Sequence, residues 1–509
     1  MNENKERKLG AILSYISIIV STLVQLIYTP FLIRKLGQSE YGLYSLVASV
    51  ISYLTLFDLG FGNAIVVYTS KYLATGEREK AEKLQGMFKV VFYILGLFVF
   101  IAGIILYFNV ESLFGNTMTE EELSKAKVMM LILTFNMVIT FTFNIYSSII
   151  NAHEKFVFQK IVSILNTLLK PLLMIPLLLL GYKSIAMCVA ITLVNVFVVI
   201  FNYFYCINKL KIKVKFRGFD KKVFKEILKY SIFIFINIIV DKVNWNLDQF
   251  ILGIVSGTVA VSIYSIATNL NTLFINLSTA ISGILLPKVS KMVAKNAKSE
   301  ELTNEMIKVG RIQWLIIFLM ASGLVLFGKE FFIWWAGPEY EESYYVALLL
   351  ILPVCFPLIQ NLGISICQAL NMHKFRAYAT LIMAVLNGII SYFFARVYGP
   401  IGTALGTAIA LVICNILIMN IYYQKVLRLN MLKFWKEILR MSIPFIIPLV
   451  IIIAFMHFVC ISGIKGVIVY AIIYIIIYCI IAYFLSMNDY EKNIIHNVLI
   501  KIKLKKGKS

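Results

Sequence analysis

None of the seven cysteines pairs in a CxxC spacing; Cys188, Cys206, Cys355, Cys367, Cys414, Cys460 and Cys479 are scattered through apolar segments. They read as packing residues, which excludes a disulfide framework and a thiolate metal site. Histidine is scarcer, at 4 in 509 residues, and His153 and His373 lack companions as metal ligands, so no metal is expected. Charge is low as well: 15% of residues are charged and 60% apolar, with a mean hydropathy of +0.85. A soluble core is therefore the wrong frame. No stretch alternates in the manner of barrel strands, whereas long apolar runs recur, so helices are the structures left to span a bilayer. The start of the chain, Lys5, Arg7 and Lys8 before the apolar run 11–33, looks like a signal peptide. That run is too long and no small-residue cleavage site follows, so it is expected to be an uncleaved first span.

Basic residues are plentiful, giving a net charge of +22. Nucleic acid is not the expected partner, because the charge is placed by topology. Fourteen apolar segments fall between residues 11 and 486. With the N-terminus cytoplasmic, the inner loops and tails hold 38 Lys plus Arg and the outer loops 8. Adding or losing one span would switch the side of every later loop, so both termini are expected on the cytoplasmic side of the membrane. The inner stretch 209–229, with Lys209, Lys211, Arg217, Lys221 and Lys229 among its nine basic residues, suits anionic headgroups. Outer loops are short. They leave no room for a folded catalytic domain, and no enzyme is expected.

The chain repeats itself at an offset of 220 residues. Gly37 falls on Gly257, Tyr44–Ser45 on Tyr264–Ser265, Ser70–Lys71 on Ser290–Lys291, and Ala74 on Ala294. Asn151 and His153 fall on Asn371 and His373. One repeat holds six spans, an even number, so the two copies keep the same orientation in the membrane. The expected architecture is all-α and integral to the membrane: 14 transmembrane helices, two parallel-repeat six-helix lobes around a central cavity, and a C-terminal helix pair. Its parts are an N-terminal lobe (1–208), a basic cytoplasmic linker (209–229), a C-terminal lobe (230–425), and the last two helices with a basic tail (426–509).

The segment 230–254 is long enough to cross a bilayer, yet it carries Asn237, Asp241, Lys242, Asn244, Asn246, Asp248 and Gln249. At about 100° per residue, Asn237, Asp241, Asn244 and Asp248 return to one side and form a polar stripe. Such a stripe belongs to a polar pathway through the protein or to a network between helices. Asp58, in FDLGFGNA, lies 13 residues before Lys71 and about 20 Å of helix from the inner surface. It is placed to take up a proton, counter a substrate's charge, accept from sugar hydroxyls, or tie two helices. Gly60 and Gly62 allow close packing or a local break. Lys170 precedes Pro171 in the fifth span, where freed carbonyls can solvate an ammonium that serves as a phosphate ligand or pairs with an acid. Lys242 stands about 100° from Asp241 and belongs to another wall. Amides inside the spans, Asn136, Asn144, Asn195 and Asn361 among them, suit either a cavity for hydroxyl-rich cargo or interhelical glue. Arg34, Lys35 and Arg311 read as snorkelling anchors, and Trp334 with Trp335 as an interface belt.

Fourteen spans, two lobes, DLGFGNA in the second span, and NLDQFILGIVSG leading to YSIA in the seventh and eighth together resemble the Wzx-type flippases of polysaccharide repeat units. These belong to the multidrug/oligosaccharidyl-lipid/polysaccharide exporter superfamily. The resemblance implies a V-shaped central cavity that alternates between inward-open and outward-open states. It implies a polyprenyl-pyrophosphate-linked oligosaccharide as cargo, with the lipid tail left in the bilayer. On that expectation Asp58, Asn237, Asp241, Asn244 and Asp248 line the route and Lys170 and Lys242 supply positive charge. No cofactor is expected beyond a coupling ion, H⁺ or Na⁺; membrane lipids and polysaccharide assembly proteins are the expected partners. A lipid II flippase or a cation-coupled multidrug exporter of the same superfamily is the nearest alternative, and a membrane glycosyltransferase or polymerase a distant one.

Overall fold

The computed structural model describes residues 3–496 except 213, 215, 217, 284–288, 290, 294, 296, 371, 373, 460–462 and 495. Ser290, Ala294, Asn371 and His373 of the repeat, and Cys460, therefore lie outside the described residues. The protein is all-α, with no strand among the described residues. This follows from the sequence, because in hydrocarbon each backbone N–H and C=O must be satisfied within its own segment.

The helices are α1 (Glu3–Leu36), α2 (Gln38–Ser52), α3 (Phe61–Ala74), α4 (Arg78–Phe114), α5 (Glu120–Ala152), α6 (Phe156–Leu179) and α7 (Ser184–Asn208). They continue with α8 (Lys221–Val255), α9 (Gly257–Gly283), α10 (Ser299–Trp335), α11 (Glu342–Ile359) and α12 (Asn361–Ala369). The last are α13 (Lys374–Leu411), α14 (Met419–Lys425), α15 (Met431–Ser442), α16 (Ile446–Phe458) and α17 (Gly463–Ile481). Twelve helical segments among the described residues are long and apolar enough to cross a membrane, which makes this a multi-pass membrane protein. The expected fourteen differs at two places. Helix α8 is absent from the twelve, because its second half carries the charges and amides noted above. The run Lys374–Lys425 counts once, although the chain turns inside it at Gly399 (φ 55°, ψ −131°), just before Pro400.

Helix starts are written locally. Thr119 and Glu122 form a capping box at α5, whose first turn also holds Glu120 and Glu121 against the helix dipole. Asp220 caps α8 by accepting from the N–H groups of Lys222 and Val223 at 3.1 and 3.2 Å. Gly37 and Gly257, matched by the repeat, share a left-handed conformation (φ 79° and 80°) at the turns that open α2 and α9.

The chain gathers into two compact units, 1–266 with 384–406, and 267–383 with 407–509. In the first, α4 packs on α5, α5 on α7, and α1 on α6. Gly96 and Gly103, two turns apart on α4, face Thr142 and Thr134 of α5, and at Gly103 a Cβ would sit 2.2 Å from the Thr134 methyl group. Small residues let these helices approach, since no hydrophobic effect drives them together in lipid.

In the second unit, α10 packs against α11, α15 and α17. Helix α15 is amphipathic: Met431, Phe434, Ile438 and Met441 are buried while Leu432, Lys433, Lys436 and Arg440 are exposed. Helix α17 is apolar all round, yet its buried face is the tyrosine face, Tyr470, Tyr474 and Tyr478. Tyr474 Oη shares a 2.6 Å hydrogen bond with Ser322 Oγ, Tyr478 Oη donates to Leu315 O at 2.8 Å, and Tyr470 Oη donates to Val459 O. Hydroxyls turn inward because lipid tails offer them no partner.

Candidate functional site: a polar helix in an apolar bundle

Helix α8 packs on α2 and α3 within the first unit. Ser49 Oγ of α2 donates to Asn246 O at 3.0 Å, and Thr117 Oγ1 donates to Gly253 O at 2.7 Å. Where α8 turns into α9, Ser39 Oγ and Thr258 Oγ1 both donate to Glu122 Oε1, at 2.6 and 2.8 Å. The backbones are close there: a Cβ on Gly42 would lie 1.8 Å from Thr258 O.

The expected stripe resolves into unlike environments. Asp248 is 2% exposed and accepts a hydrogen bond from Tyr264 Oη of α9. Asp241, two turns earlier, is exposed, and Lys242 and Asn244 are half-buried. Lys242 forms no ion pair within 4 Å among the described residues. The Asn237 side chain lies outside the described residues. The two acids therefore stand in different surroundings: Asp248 joins α8 to α9, and Asp241 is exposed.

Asp58 ends a 3-10 turn (Tyr53–Asp58) that interrupts the second span. Leu59 (φ 51°) and Gly60 (φ 76°) then take left-handed conformations and α3 starts anew at Phe61. The break that Gly60 and Gly62 allowed is real, and Asp58 serves it, accepting from Gly62 N at 3.4 Å and from Asn144 Nδ2 of α5 at 3.2 Å. Gly60 also lies against α8, where a Cβ would come within 2.9 Å of Ile234 Cβ and 3.3 Å of Ser231 O. Half-buried, Asp58 keeps acceptor capacity beyond those two bonds. Thus the Asp58 turn and α8 are neighbours. Lys170 stands apart: it is half-buried on α6, whose chief partners are α1 and α7, and it forms no ion pair among the described residues.

Some readings need correction. Arg311 is no snorkelling anchor. It is 5% exposed, and its Nε and Nη2 donate to Glu491 at 2.6 and 3.0 Å, with Nη2 also reaching Ser486 O at 2.8 Å. It sits on the face of α10 that the later helices cover, so neither water nor headgroups reach it. Trp334 is exposed as an interface residue would be, whereas Trp335 is 3% exposed and stacks on Phe331. The amides left open between cavity and glue include helix ties: Asn195 Nδ2 donates to Asn136 Oδ1 at 3.2 Å, and Asn361 Nδ2 to Ser278 Oγ at 2.9 Å.

Sequence reasoning missed Glu40 altogether. Only 7% exposed, it accepts from Lys125 Nζ at 2.5 Å, Ser184 Oγ at 2.5 Å and Ser184 N at 3.2 Å. An acid in the first turn of the second span was the available signal. Among the described residues no group of three His, Cys, Asp or Glu is placed to hold a metal ion. What the arrangement does offer is carboxylates, amides and a lysine along one helix of an apolar bundle, chemistry suited to recognising hydroxyls and exchanging protons.

Similarity to known proteins agrees in kind. The chain is 23% identical over 413 residues to a protein of Shigella flexneri named as a putative O-antigen transporter, covering 79% of this chain and 94% of that protein. Its fold resembles that of the lipid II flippase MurJ in an inward closed conformation, with a TM-score of 0.72 at 20% identity over 93% of this chain and 98% of the other. It also resembles an inward-facing multidrug resistance transporter of the MATE family, with a TM-score of 0.63 at 14% identity over 80% and 96% of the two chains. Residues 9–293, more than half of the sequence, match the family of polysaccharide biosynthesis proteins, and the chain belongs to that family.

Proposed function

We propose that this protein is a flippase that moves polyprenyl-pyrophosphate-linked oligosaccharide repeat units from the inner to the outer leaflet of a bacterial plasma membrane for surface polysaccharide synthesis. The observation that carries the reading is α8: a membrane-length helix with Asp241 and Lys242 accessible along it, inside an otherwise apolar bundle of a polysaccharide biosynthesis family. A sugar head and a pyrophosphate cannot cross hydrocarbon unaided, since each polar group left without a partner costs several kcal/mol. The route has to be wet, polar and partly cationic. Asp58, Asn237, Asp241, Asn244 and Asp248 would bind hydroxyls along it, and Lys170 and Lys242 would counter the pyrophosphate. Two six-helix lobes would rock about the cargo with no covalent intermediate, coupled to H⁺ or Na⁺ through the acids, and both termini would stay cytoplasmic. The naming of the Shigella flexneri relative as an O-antigen transporter supports this reading.

The test is mass spectrometry of polyprenyl-linked sugars in cells depleted of the protein, with an impermeant label reporting the leaflet. Accumulation of one complete repeat unit on the inner leaflet is expected. A build-up already exposed outside, or none, overturns the proposal; accumulation of a peptidoglycan precursor instead reassigns the cargo.

A further inference from the structure

Three turns of the first unit, those joining α1 to α2, α4 to α5 and α6 to α7, bring Glu40, Lys125 and Lys183 together. A cavity of about 480 Å³ opens beside them, with Leu177 of α6 and Val189 of α7 in its aliphatic wall. Because α6 and α7 are membrane spans that end and begin here, the cavity lies at headgroup level of one leaflet. Leu179, Leu180 and Tyr182 next to it are 62%, 73% and 61% exposed, an apolar rim suited to acyl chains.

The polar end is built rather than incidental. Glu40 is buried, and three of its roughly four acceptor positions are taken by Lys125 Nζ, Ser184 N and Ser184 Oγ. The Lys183 ammonium stands 3.9 Å from the same Oε1 that Lys125 holds. Lys125 is occupied too, by Glu40 and by Glu121, whose side chain is 77% exposed and lies outside the cavity wall. Lys183 differs. Its ammonium is 3.9 Å from Glu40, its side chain is 59% exposed, and it forms no other ion pair among the described residues. The two carboxylates and two ammonium groups of the cluster balance, and because Lys125 is held by both acids, the donors available to a ligand in the wall belong to Lys183. A free phosphate would leave the aliphatic wall unused, and a zwitterionic headgroup would bring an amine to an acid already held by Lys125 and Ser184.

We propose that this cavity is a binding site for one anionic phospholipid, its phosphodiester held by Lys183 and its first chain carbons lying against Leu177 and Val189. The site is independent of the cargo reading above.

The test uses the full-length protein in nanodiscs of equal phosphatidylglycerol and phosphatidylcholine, released into the gas phase so that retained lipid can be weighed. One phosphatidylglycerol retained in preference to phosphatidylcholine is expected. Lys183→Ala should lower that retention about fivefold, the effect of one lysine near a charged membrane surface. Ala186→Trp, which fills the cavity without altering charge, should abolish it, while Lys436→Ala, at an exposed lysine far along the chain, should leave it unchanged. Equal retention of both lipids overturns the proposal. So does an equal loss with Lys183→Ala and Lys436→Ala, which would mark diffuse attraction, or displacement of the lipid by inorganic phosphate, which would mark a soluble-anion site. Lys183 is exposed, so that variant keeps the test open should the tryptophan variant fail to fold.

Discussion

The Tyr264 hydroxyl donates to Asp248 Oδ2 across the turn that joins α8 to α9, and both residues are 2% exposed. A carboxylate in so apolar a place depends on its hydrogen bonds. Tyr264→Phe should therefore lower stability by about 1–3 kcal/mol, read as thermal unfolding in detergent. Asp248→Asn keeps an acceptor oxygen for the same hydroxyl and should be milder in stability. If Asp248 also serves the route, that variant loses transport while its abundance in the membrane stays near normal. Wild-type transport by both Asp248→Asn and Asp241→Asn would make these acids structural.

Glycines offer a matched pair. At Gly42 a Cβ would meet the Thr258 carbonyl at 1.8 Å, and backbone cannot swing aside as a side-chain tip can. Gly42→Ala should cost about 1–3 kcal/mol through overpacking of α2 on α9. Gly323, inside α10, has nothing within 4 Å of the same position. There Gly323→Ala should be neutral or stabilise by up to about 1 kcal/mol through helix propensity. Equal unfolding temperatures for the two variants would refute the close approach of α2 and α9.

His153 closes α5 outside the membrane spans, with Nδ1 2.9 Å from Ile149 O. Burial pushes its imidazole below the usual value of 6.5, and the positive charges of Lys155 and Arg78 act in the same direction, against the hydrogen bond to Ile149 O. The unfolded chain thus takes up the proton first. Stability is complete above the unfolded value and is lost as pH falls through it towards the lower folded value. His153→Gln should flatten that part of the stability profile, measured as unfolding temperature between about pH 5 and 8. An unchanged slope would place the titration elsewhere.

What could be read from the chain beforehand divides by distance. Helices, turns and the break near Gly60 depend on neighbours a few residues away, and on the rule that backbone in lipid satisfies itself, so they were legible. The capping box of Thr119 and Glu122 is equally local, although Glu122 also collects Ser39 and Thr258 from 83 and 136 residues away. Such partners are set by packing, which periodicity does not report. The stripe on α8 shows the limit: one helical face was anticipated for Asp241 and Asp248, but α9 buries one end and leaves the other exposed. Tyr470, Tyr474 and Tyr478 were spaced for one face, yet only the inward turn of their hydroxyls shows which face the rest of the unit covers.

Arg311 illustrates that distance most sharply, since its acid partner is 180 residues later. With Arg311 5% and Glu491 3% exposed, removing one partner leaves the other charge buried without compensation. Arg311→Met should destabilise by about 3–5 kcal/mol and expose the chain after α17 to protease. Arg311→Lys keeps the charge but cannot reproduce the paired Nε and Nη2 donors while also reaching Ser486 O, so it should fall between parent and Met. The double variant Arg311→Met, Glu491→Gln removes both charges and should recover much of the loss, because replacing a whole buried pair is often near neutral. Glu437, 3.5 Å from Nη1 and a third exposed, is a weaker partner, and Glu437→Gln should change stability by less than about 1 kcal/mol. A double-mutant cycle on thermal unfolding separates these terms. If Arg311→Met unfolds within about 0.5 kcal/mol of the parent, the pair does not hold the C-terminal helices to α10, and the tyrosine face of α17 must do so alone.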